Sequence, residues 1–181
     1  MTEQELIAGC IREDKRCQQL FFSQFAGKMM TVCRRYARHP SEAEDIFQDA
    51  FIKVFNALKQ FEGKGSLEGW IRKIMVNTAL KYYTKLSYQN EISGLENLPE
   101  YADLPNVYSN LGEEEILKLI AKLPDGYRVV FNLAAIEGFS HKEIGELLHI
   151  EESTSRSQLV KARAHLQQQI QKFDNFIKEK I

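Results

Sequence analysis

A chain of 181 residues with 44% hydrophobic content can fill one large or two small packed domains, which excludes wholesale disorder. Its formal charge is only -1, and no apolar run approaches the ~18 residues that a membrane span needs, so direct membrane insertion is excluded. The opening Met1-Thr2-Glu3-Gln4-Glu5 is acidic and lacks an apolar signal segment, which predicts a cytoplasmic protein.

Helical periodicity dominates and no convincing alternating strand occurs, so the expected class is all-α. The first helix is predicted from about Gln4 to Glu13, with Leu6, Ile7, Cys10 and Ile11 on one face. The second runs from about Cys17 to Arg38, burying Leu20, Phe21, Phe25, Met29 and Val32. His39-Pro40 stops it, because the residue before a proline avoids the helical region. The third starts at Ser41, which with Glu44 has the capping-box pattern, and carries the stripe Ile46, Phe47, Ala50, Phe51, Val54, Phe55 and Leu58. Opposite that stripe lie Asp45, Gln48, Asp49 and Ile52. Asp45 and Asp49 have no His, Cys or Ser in a matching constellation, so the ridge reads as a protein-binding face and not as an acid–base pair. The loop Phe61 to Ser66 holds two glycines and leads into a fourth helix, about Leu67 to Ser87, through Trp70, Ile71, Ile74, Met75, Ala79 and Tyr82.

Charge divides the chain more sharply than hydropathy. Between Lys64 and Lys85 stand five basic residues (Lys64, Arg72, Lys73, Lys81, Lys85) and one acid, interleaved with Trp70, Tyr82 and Tyr83, and Tyr88 follows. Cations track phosphates and aromatic faces accept unstacked bases, a mixture suited to single-stranded or distorted DNA. The bland alternative makes Trp70 and Tyr82 core residues with polar edges. Asn77 is either a satisfied core amide or a base reader. From Leu86 to Leu117 there is no Lys or Arg and there are seven acids, with Gly94, Pro99, Pro105 and Gly112, which predicts a flexible acidic linker. The expected division is 1–87, a linker at 88–112, and 113–181.

The last part opens with a helix from Glu113 to Lys122. Pro124 suits the first turn of the next, which runs to Glu137 and stops at Gly138. Ser140 with Glu143 forms another capping box, opening a short helix that ends near Leu148. The turn Leu148-His149-Ile150 then leads to a long helix, about Glu152 to Lys172, completing a helix-turn-helix. From Ser153 to Phe173 the charged residues are Arg156, Lys161, Arg163 and Lys172, with no acid, as suits a helix lying on a polyanion. Ser155, Leu159, Ala162 and Leu166 share one face, expected to pack inward. Arg156, Ser157, Val160, Lys161 and Arg163 then face outward. The Arg156 fork matches the two acceptors of guanine, Ser157 and Gln158 can bond bases or phosphates, and Val160 can touch a thymine methyl. Lys161 and Arg163 suit phosphates. Cys10, Cys17 and Cys33 are odd in number without C-x-x-C spacing, and the four histidines match no metal-ligand spacing, so no cofactor or metal is expected.

Taken in order, the blocks Asp45 to Phe55, Phe61 to Ile74 with Asn77, Leu123-Pro124, Tyr127 to Phe131, Glu137 to Ile144, Thr154 to Ser157 and Lys161 to Arg163 resemble the extracytoplasmic-function sigma factors, the smallest bacterial sigma subunits of RNA polymerase. The resemblance covers about Leu20 to Ile170. It implies a four-helix region 2 domain and a region 4 helix-turn-helix domain joined by the linker. It implies a promoter-specificity subunit without catalysis of its own, whose partners are the polymerase core, promoter DNA (duplex and melted non-template strand) and an anti-sigma protein. Asp45, Gln48, Asp49 and Ile52 would dock on the polymerase. Lys64, Gly65, Ser66, Leu67, Trp70, Arg72, Lys73 and Asn77 would capture melted minus-ten bases. Lys142, Thr154, Ser155, Arg156, Ser157, Gln158, Val160, Lys161 and Arg163 would meet the minus-thirty-five duplex. The chain departs from the family pattern with His149 where Gly is frequent and Gly145 where Ala is common. The rival reading, a stand-alone helix-turn-helix regulator, leaves the Lys64–Lys85 cluster and the Asp45 ridge unused.

Overall fold

Capping side chains set where the helices begin. A computed structural model describes the backbone of residues 1–93 and 112–178, and all regular elements among these are helical. Helix α1 spans Glu3–Ile11. The Thr2 hydroxyl accepts from the Glu5 amide at 3.2 Å, and the Glu5 carboxylate accepts from the Thr2 amide at 2.7 Å. Helix α2, Lys15–Tyr36, starts earlier than its apolar pattern suggests. The Asp14 carboxylate accepts from the amides of Arg16 (2.9 Å) and Cys17 (3.1 Å), satisfying two donors left over at the helix start.

Helix α3, Pro40–Ala57, corrects the Ser41–Glu44 box. Its cap is His39, with no side-chain capping bond, and Pro40 occupies the first turn. Proline needs no partner for an amide it lacks and arrives with a helical φ, so the helix opens there. Glu42, not Glu44, reaches back to the Arg38 amide, at 2.6 Å. A 3₁₀ turn, Leu58–Gln60, closes α3. Helix α4 spans Leu67–Ser93, past the expected end at Ser87. No Gly or Pro intervenes before Gly94, so nothing in the backbone stops it.

The second set comprises α5 (Glu113–Ala121), α6 (Asp125–Phe131) running into a π turn (Asn132–Ile136), α7 (His141–Leu148) and α8 (Glu152–Lys178). The expected single helix up to Gly138 is therefore two kinds of turn. Gly138, at φ 78, ends it, with the Phe139 amide donating to the Leu133 carbonyl at 2.9 Å. The remainder of the proposed linker, 94–111, lies outside the described residues.

The chain divides into two units, Met1–Tyr82 and Tyr83–Ile181. In the first, the inner faces of α2, α3 and α4 meet through Phe21, Phe25 and Met29, through Ile46, Ala50 and Val54, and through Ile71 and Met75, all buried. Aromatic rings pack between helices, Phe22 against Phe51 at 5.1 Å and Phe21 against Phe55 at 5.4 Å. Leu20, expected inside, is exposed, since Phe21 takes the inward position at that turn. The core of the second unit is Leu123, Val129, Val130, Leu133, Ile144, Leu159 and Ala162. Each buried Leu, Val or Ile among them contributes roughly 1.5–3 kcal/mol. Arg128 lies among them, 2% exposed. Its guanidinium donates to Asp125 (2.7 Å) and to the Leu123 carbonyl (3.1 Å), so the buried charge is paired and bonded.

Candidate nucleic-acid interface

The α7–α8 turn carries the geometry of the second unit's exposed face. Ser140 opens α7 through the box read from sequence. Its amide donates to the Glu143 carboxylate at 2.8 Å and its hydroxyl at 2.7 Å, and these bonds hold the Glu143 carboxyl below its ordinary value, the hydroxyl being the larger cause. His149 ends α7 in the left-handed region at φ 56, ψ 42. The departure from Gly is thus accommodated by a side chain that tolerates this conformation better than most. Gly145 permits a close approach: a Cβ there would lie 2.7 Å from the Ile150 carbonyl oxygen.

Helix α8 then divides as its spacing predicts. Ser155 and Ala162 are fully buried and Leu159 nearly so, while Arg156, Ser157, Lys161 and Arg163 are exposed and Val160 is 66% exposed. One residue differs from the expectation. Ser155 has 0% exposure and its hydroxyl bonds His141 Nδ1 at 2.9 Å, so its side chain faces inward and ties α8 to α7. Thr154 and Gln158 are half-buried, and the Gln158 amide lies beside Gly126 at the start of α6. Lys142 is exposed on α7. Arg156 is not a free cation: its guanidinium is paired with the Glu152 carboxylate one turn earlier. The acid-free window that begins at Ser153 stops one residue short of this partner, and the i, i+4 acid–base spacing would have found it.

In the first unit the Phe61–Ser66 loop is shaped by Gly63 at φ 73 and Gly65 at φ 83, values costly for other residues. The Ser66 hydroxyl accepts from the Gly69 amide at 3.1 Å and so caps α4. Trp70 is half-buried against Phe61, ring centroids 5.5 Å apart. Lys73 and Asn77 are exposed at three- and four-residue steps beyond Trp70, so these three share one face, and Arg72 beside them is half-buried. Asn77 is therefore not a core amide. Leu67 differs from the expectation: at 1% exposure its side chain belongs to the core. Lys64 is exposed and paired with Glu62 at 2.6 Å.

The α3 ridge stands as predicted, with Asp45 and Gln48 exposed, Asp49 half-buried and Ile52 60% exposed. Asp49 pairs with Lys53 at 2.9 Å, and Lys53 also reaches the Thr78 hydroxyl at 3.4 Å. Sequence reasoning missed Lys53. The Lys53–Thr78 contact places α4 beside this ridge, and burial, followed by the carboxylates of Asp49 and Asp45, raises the Tyr82 phenol. Among the described residues no group of His, Cys, Asp and Glu could hold a metal ion, and no helix is long and apolar enough to cross a membrane.

Two family models match in order: Sigma-70 region 2 over residues 21–88 and Sigma-70 region 4 over residues 113–166, together about two thirds of the chain. The chain is 27% identical over 183 residues to an ECF RNA polymerase sigma-E factor of Haemophilus influenzae, covering 94% of this chain and 96% of that one. It is 26% identical over 184 residues to the ECF RNA polymerase sigma-E factor of Escherichia coli (94% and 95%) and 25% identical over 186 residues to the RNA polymerase sigma-H factor of Pseudomonas aeruginosa (93% and 94%). Among solved structures, a sigma factor crystallised with an anti-sigma factor, from Bartonella quintana, has the same fold, with TM-score 0.55, 20% identity and coverage of 84% of this chain and 96% of that one.

Proposed function

The chain belongs to the sigma-70 family, in its extracytoplasmic-function group, and from that premise we propose how its promoter-specificity work is divided between its faces. As a sigma subunit it directs RNA polymerase to initiate at a particular set of promoters. The observation that carries the division is the α8 face, where cations and Val160 stand outward over a row of buried Ser155, Leu159 and Ala162. Arg156, Ser157 and Val160 address base edges of the minus-thirty-five duplex, while Lys142, Lys161 and Arg163 take phosphates. The face of Trp70, Lys73 and Asn77, with Arg72 beside it and the loop of Lys64, Gly65 and Ser66 ahead of it, takes melted non-template bases of the minus-ten element.

Asp45, Gln48, Asp49 and Ile52 dock on the polymerase core. The domain boundaries belong to the same reading: 1–87 for core and minus-ten binding, 88–112 as linker, whose first residues continue α4 to Ser93, and 113–181 for minus-thirty-five binding. The chain performs no catalysis, works in the cytoplasm with its polymerase, and is restrained by an anti-sigma protein, as the family resemblance implies. A stand-alone regulator would leave the α3 ridge and the α4 face without a role.

Reconstituted transcription with core polymerase tests this. Asp49→Arg, which sets a second cation beside Lys53, is expected to lose competition for core while keeping its helical signal and unfolding midpoint. Equal competition overturns the docking assignment.

A further inference from the structure

Resting on the reading of α8 as the upstream-element reader, we propose that Glu152 is a second specificity-determining residue, which holds the Arg156 fork and accepts a hydrogen bond from the N4 amine of a cytosine next to the guanine that Arg156 reads. Glu152 is the first residue of α8, and its carboxylate is paired with Arg156 across one turn. Both side chains are about half exposed, so the pair adds little to stability. Its consequence lies in placement. The pairing draws the guanidinium toward the N-terminal turn of α8, the end of a recognition helix that meets base edges.

A carboxylate at that end is a liability on nonspecific DNA. Arg156 balances this one charge, but the cleft around the pair stays acidic. The cleft beneath the α7–α8 turn is lined by Glu146, Glu151 and Glu152 against Lys142 and the imidazole of His149. Against phosphates these carboxylates are repelled. In the major groove, however, the charge is satisfied by an exocyclic amine, and a carboxylate selects the N4 amine of cytosine, whereas an amide selects the paired N6 and N7 of adenine. Glu152 therefore penalises DNA in general and relents where a cytosine amine faces it, while Arg156, released or shared, finds guanine beside it. The chemistry required is one carboxylate and one guanidinium on consecutive turns, which the ion pair supplies.

The test uses holoenzyme formed from the full chain and core polymerase, selected against promoter fragments randomised across the upstream element. Four proteins are compared: wild type, Glu152→Gln, Glu151→Gln and Arg156→Ala. Glu152→Gln is expected to lose roughly tenfold or more of the cytosine preference at one position, shifting it toward adenine, with the guanine position retained. Glu151→Gln removes the same charge from the same cleft and is expected to strengthen binding uniformly at low salt with the base preferences unchanged. If both glutamine variants strengthen binding uniformly, or if Glu152→Gln leaves the preference intact, Glu152 is only a surface charge and the inference is overturned. If Arg156→Ala changes no upstream preference, the assignment of α8 falls first and the inference with it.

Discussion

Gly145→Ala separates a close-packed turn from an ordinary helix position, because the two give opposite signs. In an exposed helix the change stabilises by about 1 kcal/mol. Here the new Cβ would lie 2.7 Å from the Ile150 carbonyl oxygen and 3.6 Å from the Glu152 amide. Ordinary contact requires the turn to retreat by about 0.7 Å or more. The same turn is closed by the Ile150 amide donating to the Gly145 carbonyl at 3.0 Å and by the His149 amide donating to the same oxygen. Weakening both costs up to about 1 kcal/mol each. Overpacking costs 1–3 kcal/mol more in typical cases, approximately. The net expectation is a loss of roughly 2 kcal/mol, or about 10 °C in the melting of the second unit. Calorimetry of the full chain reads it, with Gly27→Ala as the paired control. Gly27 is exposed on α2 with nothing within 4 Å of its added Cβ, and its substitution should stabilise the first unit by up to about 1 kcal/mol. Should Gly145→Ala stabilise as Gly27→Ala does, the close approach of α7 to the turn is not what holds α8 in place.

Asp125→Ala is expected to cost about 3 kcal/mol or more in chemical denaturation, because it takes a carboxylate from the buried Arg128 cation, whereas Arg128→Met should cost distinctly less. Equal losses would contradict the buried-charge argument. Burial pushes the Cys33 thiol up to about 12 and the Cys10 thiol up to about 11, with Cys17 and Asp14 adding to the latter, so alkylation of native protein at mild pH should label the half-buried Cys17 first, as peptide mapping after a single label will show. Glu143 is held below its ordinary 4.5 by Ser140, so it contributes stability above that value which is lost as pH falls through the folded one. Ser140→Ala should raise the Glu143 titration toward 4.5 and flatten the acid dependence of unfolding, which carboxyl NMR and acid titration will show.

The helical class, the stripe on α3 and the inward row of α8 were legible because each is a matter of spacing alone. Competition between caps was not. At Ser41 a box pattern lost to Pro40, since a proline in the first turn leaves one fewer amide to satisfy. At Lys15 the apolar pattern began later than the helix, whose start is fixed by the Asp14 carboxylate. The π turn at Asn132–Ile136 has no distinct sequence signature, because the same residues suit an α-helix. In the candidate site, exposure was the missing quantity. A Ser two residues after Ser153 looks the same whether it meets DNA or His141, and Leu67 at the edge of a basic loop looks available until the fold seals it at 1% exposure.

The two proposed DNA faces differ in how tightly their side chains are tied down, and the difference matches the substrate proposed for each. A duplex presents its donors and acceptors at fixed positions, so its reader gains from side chains fixed in advance. The α8 face is fixed at two points: Ser155 bonds His141, and Gly145 lets the turn close on α7. A melted base has no fixed position and has to be followed. The loop ahead of α4 suits that proposed role, with Gly63 and Gly65 at positive φ and no atom within 4 Å of where a Cβ would stand. Its Lys64–Glu62 pair is largely exposed, so screening by solvent leaves the cation free to exchange its partner for a phosphate at little cost. Behind the loop, Trp70 is steadied by Phe61, so an adaptable rim stands before a ring fixed in place. Stiffening the rim while leaving its charges untouched would slow capture of the melted strand without altering recognition upstream, because no residue of the loop belongs to the unit that contains α8.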